Sequence, residues 1–196
     1  MDQPVKKRFI SEEELLNDAF RLAVQIHRSG FHPNFIVGVW RGGSTVGIYV
    51  QECLQYLGVQ TDHIAIRTSY QGMESYLKNL GSPESIRVHG LQYLYENLNH
   101  DDRLLIVDDV YSSGNNIEAV INRLQAKCKR NMPADTRIAV PFYKPASNRT
   151  GRVPDFYLHE CDEWLVLPYE LQGLSEDELR EHKPWVLPLL ALREQA

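Results

Sequence analysis

The apolar positions of the chain follow two periods in alternation. Leu15, Leu16, Ala19, Phe20, Ala23 and Ile26 recur at helical spacing behind a Ser11–Glu14 capping box, and Gly30 stops the run, so the chain is expected to open with a helix. Phe35–Trp40 then reads as a strand, residues 46–57 as a helix closed by Gly58, and residues 63–67 as a second strand, giving a β-α-β order. Residues 69–84 hold no sustained period and carry Gly and Pro; they are expected to form a long mobile loop, and such loops inside compact domains usually serve function. A short extended piece at Ile86–His89 and a helix at 91–98 follow. Next come a buried parallel strand at 104–107, a helix at 117–128 and a strand at 137–142. Two short strand-like runs, 156–159 and 164–167, lie among Pro, Gly and aromatic residues and predict a small subdomain folded over the main sheet, formed mainly by about 143–180. No repeat, low-complexity tract or linker divides residues 1–196, so one α/β domain is expected.

The strand at 104–107 drives straight into Asp108 and Asp109, at the carboxyl end where open α/β sheets receive ligands. A strand, turn and helix of no special purpose would use similar turn and cap residues. Two adjacent carboxylates on the buried side are costly, however, unless something polyhydroxylic or cationic meets them. Ser112, Ser113, Gly114, Asn115 and Asn116 then offer hydroxyls, amides and successive backbone N–H groups at a helix start, an arrangement that holds a phosphate. A second candidate is Gly38-Val39-Trp40-Arg41-Gly42-Gly43, where a strand ends in a guanidinium and two glycines. A third joins Tyr143-Lys144-Pro145-Ala146 to Trp164-Leu165-Val166-Leu167-Pro168-Tyr169-Glu170. Either piece alone is an ordinary surface turn or core strand.

Composition narrows the partners. A net charge of −5 and a pI near 5.8 argue against a nucleic-acid or anionic-membrane surface, while a local basic pocket for phosphates stays open. No apolar stretch is long enough to span a bilayer, and the start lacks the core of a signal peptide, so a cytoplasmic protein is expected. Cys53, Cys128 and Cys161 form no CxxC pair and indicate neither a disulfide framework nor a zinc site. The apolar C-terminal stretch reads as core packing or a subunit contact, in keeping with an expected homo-oligomer, dimer or tetramer.

Residues 103–117 resemble the phosphoribosyl-pyrophosphate (PRPP) signature of type I phosphoribosyltransferases, and the order of the other segments resembles the bacterial 6-oxopurine (hypoxanthine and xanthine-guanine) members. The resemblance implies their fold, a central mostly parallel sheet flanked by helices with a small hood. It also implies transfer of the phosphoribosyl group of PRPP to hypoxanthine, guanine or xanthine, giving a nucleoside monophosphate and pyrophosphate, with magnesium as cofactor. Asp108 and Asp109 would hold the ribose hydroxyls, Ser112–Asn116 the 5-phosphate, Arg41 and Gly42 the pyrophosphate, and Ser69 and Tyr70 would begin the flexible loop. Lys144 would donate to O6 of the base, Trp164 stack on it and the Leu165 backbone read its edge. Asp108, Asp109 and Glu170 would serve the metal, and the pyrophosphate loop would carry a cis non-proline peptide. The chain departs from the pattern at Ser112, where purine-salvage members usually have an Asp near N7, and at Asn115 and Asn116. Another nucleobase, or a PRPP or nucleotide sensor without chemistry, is the alternative that these departures keep open.

Overall fold

The computed structural model describes residues 6–70 and 86–191, side chains included except that of Tyr70. Two compact units divide the chain, one formed by residues 13–162 and a smaller one by residues 1–12 together with 163–196.

The larger unit is a seven-stranded sheet. Its strands are β2 (Phe35–Trp40), β3 (Asp62–Tyr70), β4 (Ile86–His89), β5 (Arg103–Val107), β6 (Val110–Tyr111), β7 (Asp135–Tyr143) and β8 (Phe156–Glu160), in the order β4-β3-β2-β5-β7-β6 with β8 also on β7. Every pairing is parallel except β3 with β4. The helices are α1 (Glu12–Arg28), α2 (Gly42–Tyr56), α3 (Gln92–Asn97) and α4 (Asn115–Cys128). Side chains alternate across a strand, and Val37, Val39, Leu104, Ile106, Ile138 and Val140 accordingly share one buried cluster with Leu94 of α3 and Val120 and Leu124 of α4. The near-continuous apolar runs of β2, β5 and β7 fit strands covered on both faces.

Most expected elements form, with three informative shifts. Helix α2 begins at Gly42 rather than 46: both glycines are buried in its first turn, and Gly43 packs against the end of β5 instead of spacing a turn. Strand β3 runs on to Tyr70, so Ser69 and Tyr70 belong to a strand, and the remainder of the loop expected over 69–84 falls outside the described residues. The register Val107↔Ala139 continues unbroken as Val110↔Phe142, so the strand resumes as β6 after Asp108 and Asp109, and the turn that opens α4 lies farther along.

In the smaller unit β1 (Lys7–Phe9) pairs in parallel with β9 (Trp164–Val166). Ser175 and Glu178 form a capping box on α5 (Glu176–His182), a short turn at Pro184–Val186 follows, and α6 (Leu187–Ala191) ends the described chain. The subdomain expected at 143–180 is thus divided differently. Pairing of Ala139–Tyr143 with Phe156–Glu160 ties residues up to 160 into the large sheet, while β1 joins the C-terminal part. All three cysteines are free, and among the described residues no helix is long and apolar enough to cross a membrane.

Candidate functional site

Three parallel strands aim the site. In the shared register of β2, β5 and β7, Gly38, Val107 and Ala139 lie side by side, so the residues that follow them meet at one end of the sheet. Asp108 and Asp109 leave β5 there. Asp109 N–H donates to Asp108 Oδ1 at 3.0 Å, and Val110 N–H donates to Asp109 Oδ1 at 2.8 Å. Burial, and next the negative charge of Asp109, pushes the Asp108 carboxyl well above the usual carboxylate range, against the opposing pull of backbone N–H groups at Asp109 and Gly43. A carboxyl pair of this kind can keep a proton, which lets it donate as well as accept. A vicinal diol asks for both.

Across from the pair, β2 ends at Trp40, which a cis peptide joins to Arg41. Arg41 is exposed, and α2 starts immediately behind it. A Cβ on Gly43 would lie 2.4 Å from Val107 O and 2.7 Å from the Asp108 Cα, so only glycine lets the helix start press against the end of β5. Gly43 closes the Gly38–Gly43 segment, in which the sequence assigns a role to Arg41 and Gly42 alone. Gly38 and Gly47 likewise leave room for His63, whose Nε2 would lie 3.0 and 2.9 Å from a Cβ at those positions.

The phosphate-type turn follows β6. Gly114, at φ +80°, caps α4, so Asn115 and Asn116 form the helix's first turn instead of a loop, and Asn115 is buried. Ser113 Oγ accepts the Asn115 N–H at 3.3 Å. This glycine conformation turns the chain so that the N–H groups of the turn and of the helix start lie close together, an anion-receiving arrangement. Lys144 comes from the end of β7 and donates its backbone N–H to Tyr111 O at 2.9 Å, which sets it beside this turn. Ser69 Oγ is 3.1 Å from His89 Nε2, two residues past Arg67, the partner of Trp40 on β3.

The larger unit therefore gathers Arg41, Gly42, Asp108, Asp109, Ser112–Asn116 and Lys144 at one sheet end, with Ser69 and Tyr70 finishing the strand next to β2. Trp164, Leu165 and Glu170 belong to the smaller unit. There Trp164 is 58% exposed while Leu165 is buried. Glu170 Oε2 accepts the Leu167 N–H at 2.9 Å. Buried Lys183, which the sequence did not single out, donates its Nζ to Leu167 O and Pro168 O at 2.9 and 2.6 Å, and burial lowers its pKa against the raising influence of Glu170. Among the described residues no group of three or more His, Cys, Asp or Glu side chains could hold a metal ion alone.

Residues 11–172 match the family model of the phosphoribosyl transferase domain. A purine phosphoribosyltransferase from Pyrococcus horikoshii is similar at 25% identity and a TM-score of 0.63, over 87% of this chain and 98% of that one. A xanthine-guanine-hypoxanthine phosphoribosyltransferase from Helicobacter pylori is similar at 20% identity and a TM-score of 0.63, over 90% of this chain and 100% of that one. A hypoxanthine phosphoribosyltransferase from Trypanosoma cruzi, complexed with the product IMP, is similar at 15% identity and a TM-score of 0.67, over 93% and 98%. At those lower identities the likeness is one of fold. No curated protein matches the chain.

Proposed function

Because this chain belongs to the phosphoribosyl transferase domain family and is a phosphoribosyltransferase, we propose that it transfers the phosphoribosyl group of PRPP to a 6-oxopurine, hypoxanthine, guanine or xanthine, releasing pyrophosphate. The observation that carries this reading is the Lys144 N–H to Tyr111 O bond, which joins the backbone of the residue proposed to read the base to the strand that leads into the phosphate-type turn. A protein that only sensed PRPP would have no use for Lys144 in that place.

The chemistry asks for no protein nucleophile. A purine ring nitrogen displaces pyrophosphate at ribose C1, positive charge builds on the sugar, and catalysis rests on position and electrostatics. Asp108 and Asp109 hold the 2- and 3-hydroxyls, with their negative charge near the developing cation. Ser112, Ser113, Gly114, Asn115 and Asn116 hold the 5-phosphate, and Arg41 with Gly42 receives the departing pyrophosphate. Ser69 and Tyr70 lead into the segment that closes over the reactants. Lys144 donates to O6, the exposed Trp164 indole stacks on the base, and the Leu165 backbone reads its edge.

Asp108 and Asp109 fit magnesium, which takes one or two protein carboxylates and completes its shell with water and substrate phosphates. Glu170 is the third carboxylate in the proposal, with Oε2 already accepting one N–H. When bound, the cation supplies charge against the pyrophosphate. The proposal includes a homo-oligomer, dimer or tetramer, in the cytoplasm, with no nucleic-acid or membrane partner.

A nucleobase panel assayed with PRPP and magnesium tests it. We expect nucleotide from at least one 6-oxopurine and none from adenine or uracil. Product from another base alone would turn the reading toward the alternative that Ser112 favours, a phosphoribosyltransferase with different base specificity.

A further inference from the structure

The connection between β7 and β8 is built in more detail than a plain crossover needs. Thr150 Oγ1 donates to Asn148 Oδ1 at 3.2 Å and accepts the Arg152 N–H at 3.3 Å. Its single proton is then spent, so the Tyr111 hydroxyl 3.0 Å away must be the donor in that pair. Burial pushes the Tyr111 phenol up, in keeping with a hydroxyl that stays protonated. Asn148 also receives the Thr150 N–H at 3.1 Å and donates Nδ2 to Tyr143 OH and Arg152 O, each at 3.0 Å. A directed chain results, from Tyr111 through Thr150 to Asn148.

This chain touches the phosphate turn. A Cβ on Gly114 would meet Tyr111 OH at 2.4 Å and Thr150 Oγ1 at 2.7 Å, so the left-handed glycine rests directly on the hydroxyl pair. Two main-chain bonds join the same parts, Lys144 N–H to Tyr111 O at 2.9 Å and Arg149 N–H to Ser113 O at 3.0 Å. In a trans peptide the C=O and the following N–H point opposite ways. Holding the Tyr111 and Ser113 carbonyls against the connection therefore aims the N–H groups of Ser112 and Gly114 away from it, and keeps two carbonyl oxygens from facing an anion.

We infer that the β7–β8 connection is a clamp for the phosphate turn, with Thr150 and Asn148 as positioning residues that preset its amides for the 5-phosphate of the substrate. The identity of that substrate rests on the proposed function; the clamp itself does not. Thr150→Val keeps the shape but strands the Tyr111 donor and the Arg152 N–H, whereas Thr150→Ser keeps every bond.

The test measures amide hydrogen exchange over residues 112–116 without ligand, calorimetric binding of PRPP with magnesium, and KM for each substrate. In T150V we expect faster exchange in the turn and PRPP binding weakened by about tenfold or more, with KM for the base within about twofold and T150S close to the parent. Should T150V not fold, Tyr111→Phe removes the same bond from the other side while keeping the ring, and the same readouts decide. Unchanged exchange and unchanged PRPP affinity in a folded T150V or Y111F overturn the clamp. Faster exchange in the variant, alongside a parent protein that binds no PRPP, supports the clamp and removes the substrate assignment.

Discussion

Ser112 stands one residue past Tyr111, whose carbonyl accepts the Lys144 N–H, and three residues past Asp109, so its backbone lies on the segment that joins the proposed sugar-binding carboxylates to the phosphate-type turn. A hydroxyl there can bond to a purine ring nitrogen but cannot serve as a carboxylate acid or base near neutral pH. If the proposed 6-oxopurine is the substrate, Ser112→Asp should therefore raise kcat/KM for it, within the roughly 10²- to 10⁴-fold that a positioned acid or base contributes. The gain has an opponent. A third carboxylate close to Asp108, already pushed up by burial and by Asp109, makes ionisation of the pair harder still and should weaken PRPP binding at neutral pH. Steady-state kinetics with each substrate varied in turn separates the two effects. A folded variant with no gain in kcat would show that serine suits the natural base.

At the scale of elements, the start of α2 controls how closely the Trp40–Arg41 turn approaches the carboxylates. Gly43→Ala places a methyl 2.4 Å from Val107 O, a backbone atom that cannot rotate away, so the helix start or the end of β5 must move. Overpacking of this kind costs about 1 to 3 kcal/mol, and the shift falls between Arg41 and Asp108. We expect a lower denaturant midpoint together with a fall in kcat/KM for PRPP; an unchanged midpoint would mean that the interface yields without cost. The same element shows what the sequence made legible. Strands β2, β5 and β7 were readable because buried parallel strands are unbroken apolar runs, and Asp108, Asp109 and Ser112–Asn116 because the site there is one contiguous segment. Gly43 reads as a turn residue in the sequence, since its reason for being glycine is the distant Val107 and Asp108. Strand β1, with three residues, and α5, whose first turn is Glu176-Asp177-Glu178, carry too little apolar pattern to stand out before β9 and the Ser175 cap are seen in place. Thr150 and Asn148 were hidden for a related reason: the sequence shows polar turn residues, and only folding brings them to Tyr111.

Over the whole molecule, the adjacent carboxylate pair sets its proposed catalytic role against stability. The folded state raises the Asp108 pKa above its unfolded value, so the native protein binds more protons than the unfolded chain in the interval between them. Stability attributable to this group is complete below the unfolded carboxylate range and is lost as pH rises through the folded pKa, so above the ordinary carboxylate range the ligand-free protein is less stable than it would be without that carboxyl. Asp108→Asn keeps the shape and an oxygen to accept the Asp109 N–H, and removes the charge. The variant should melt higher than the parent at pH 7.5 in the absence of ligand, with the difference shrinking toward zero near pH 4, while transferase activity collapses because the ribose hydroxyls lose their charged acceptor. His63 acts with the opposite sign: burial lowers its pKa, so both proteins lose stability alike as pH falls below the ordinary histidine range, and the comparison between them cancels that part. Thermal melts of the two proteins at both pH values decide the matter. A variant less stable than the parent at pH 7.5 would mean that hydrogen bonds to the Asp108 carboxylate outweigh its burial and the repulsion from Asp109.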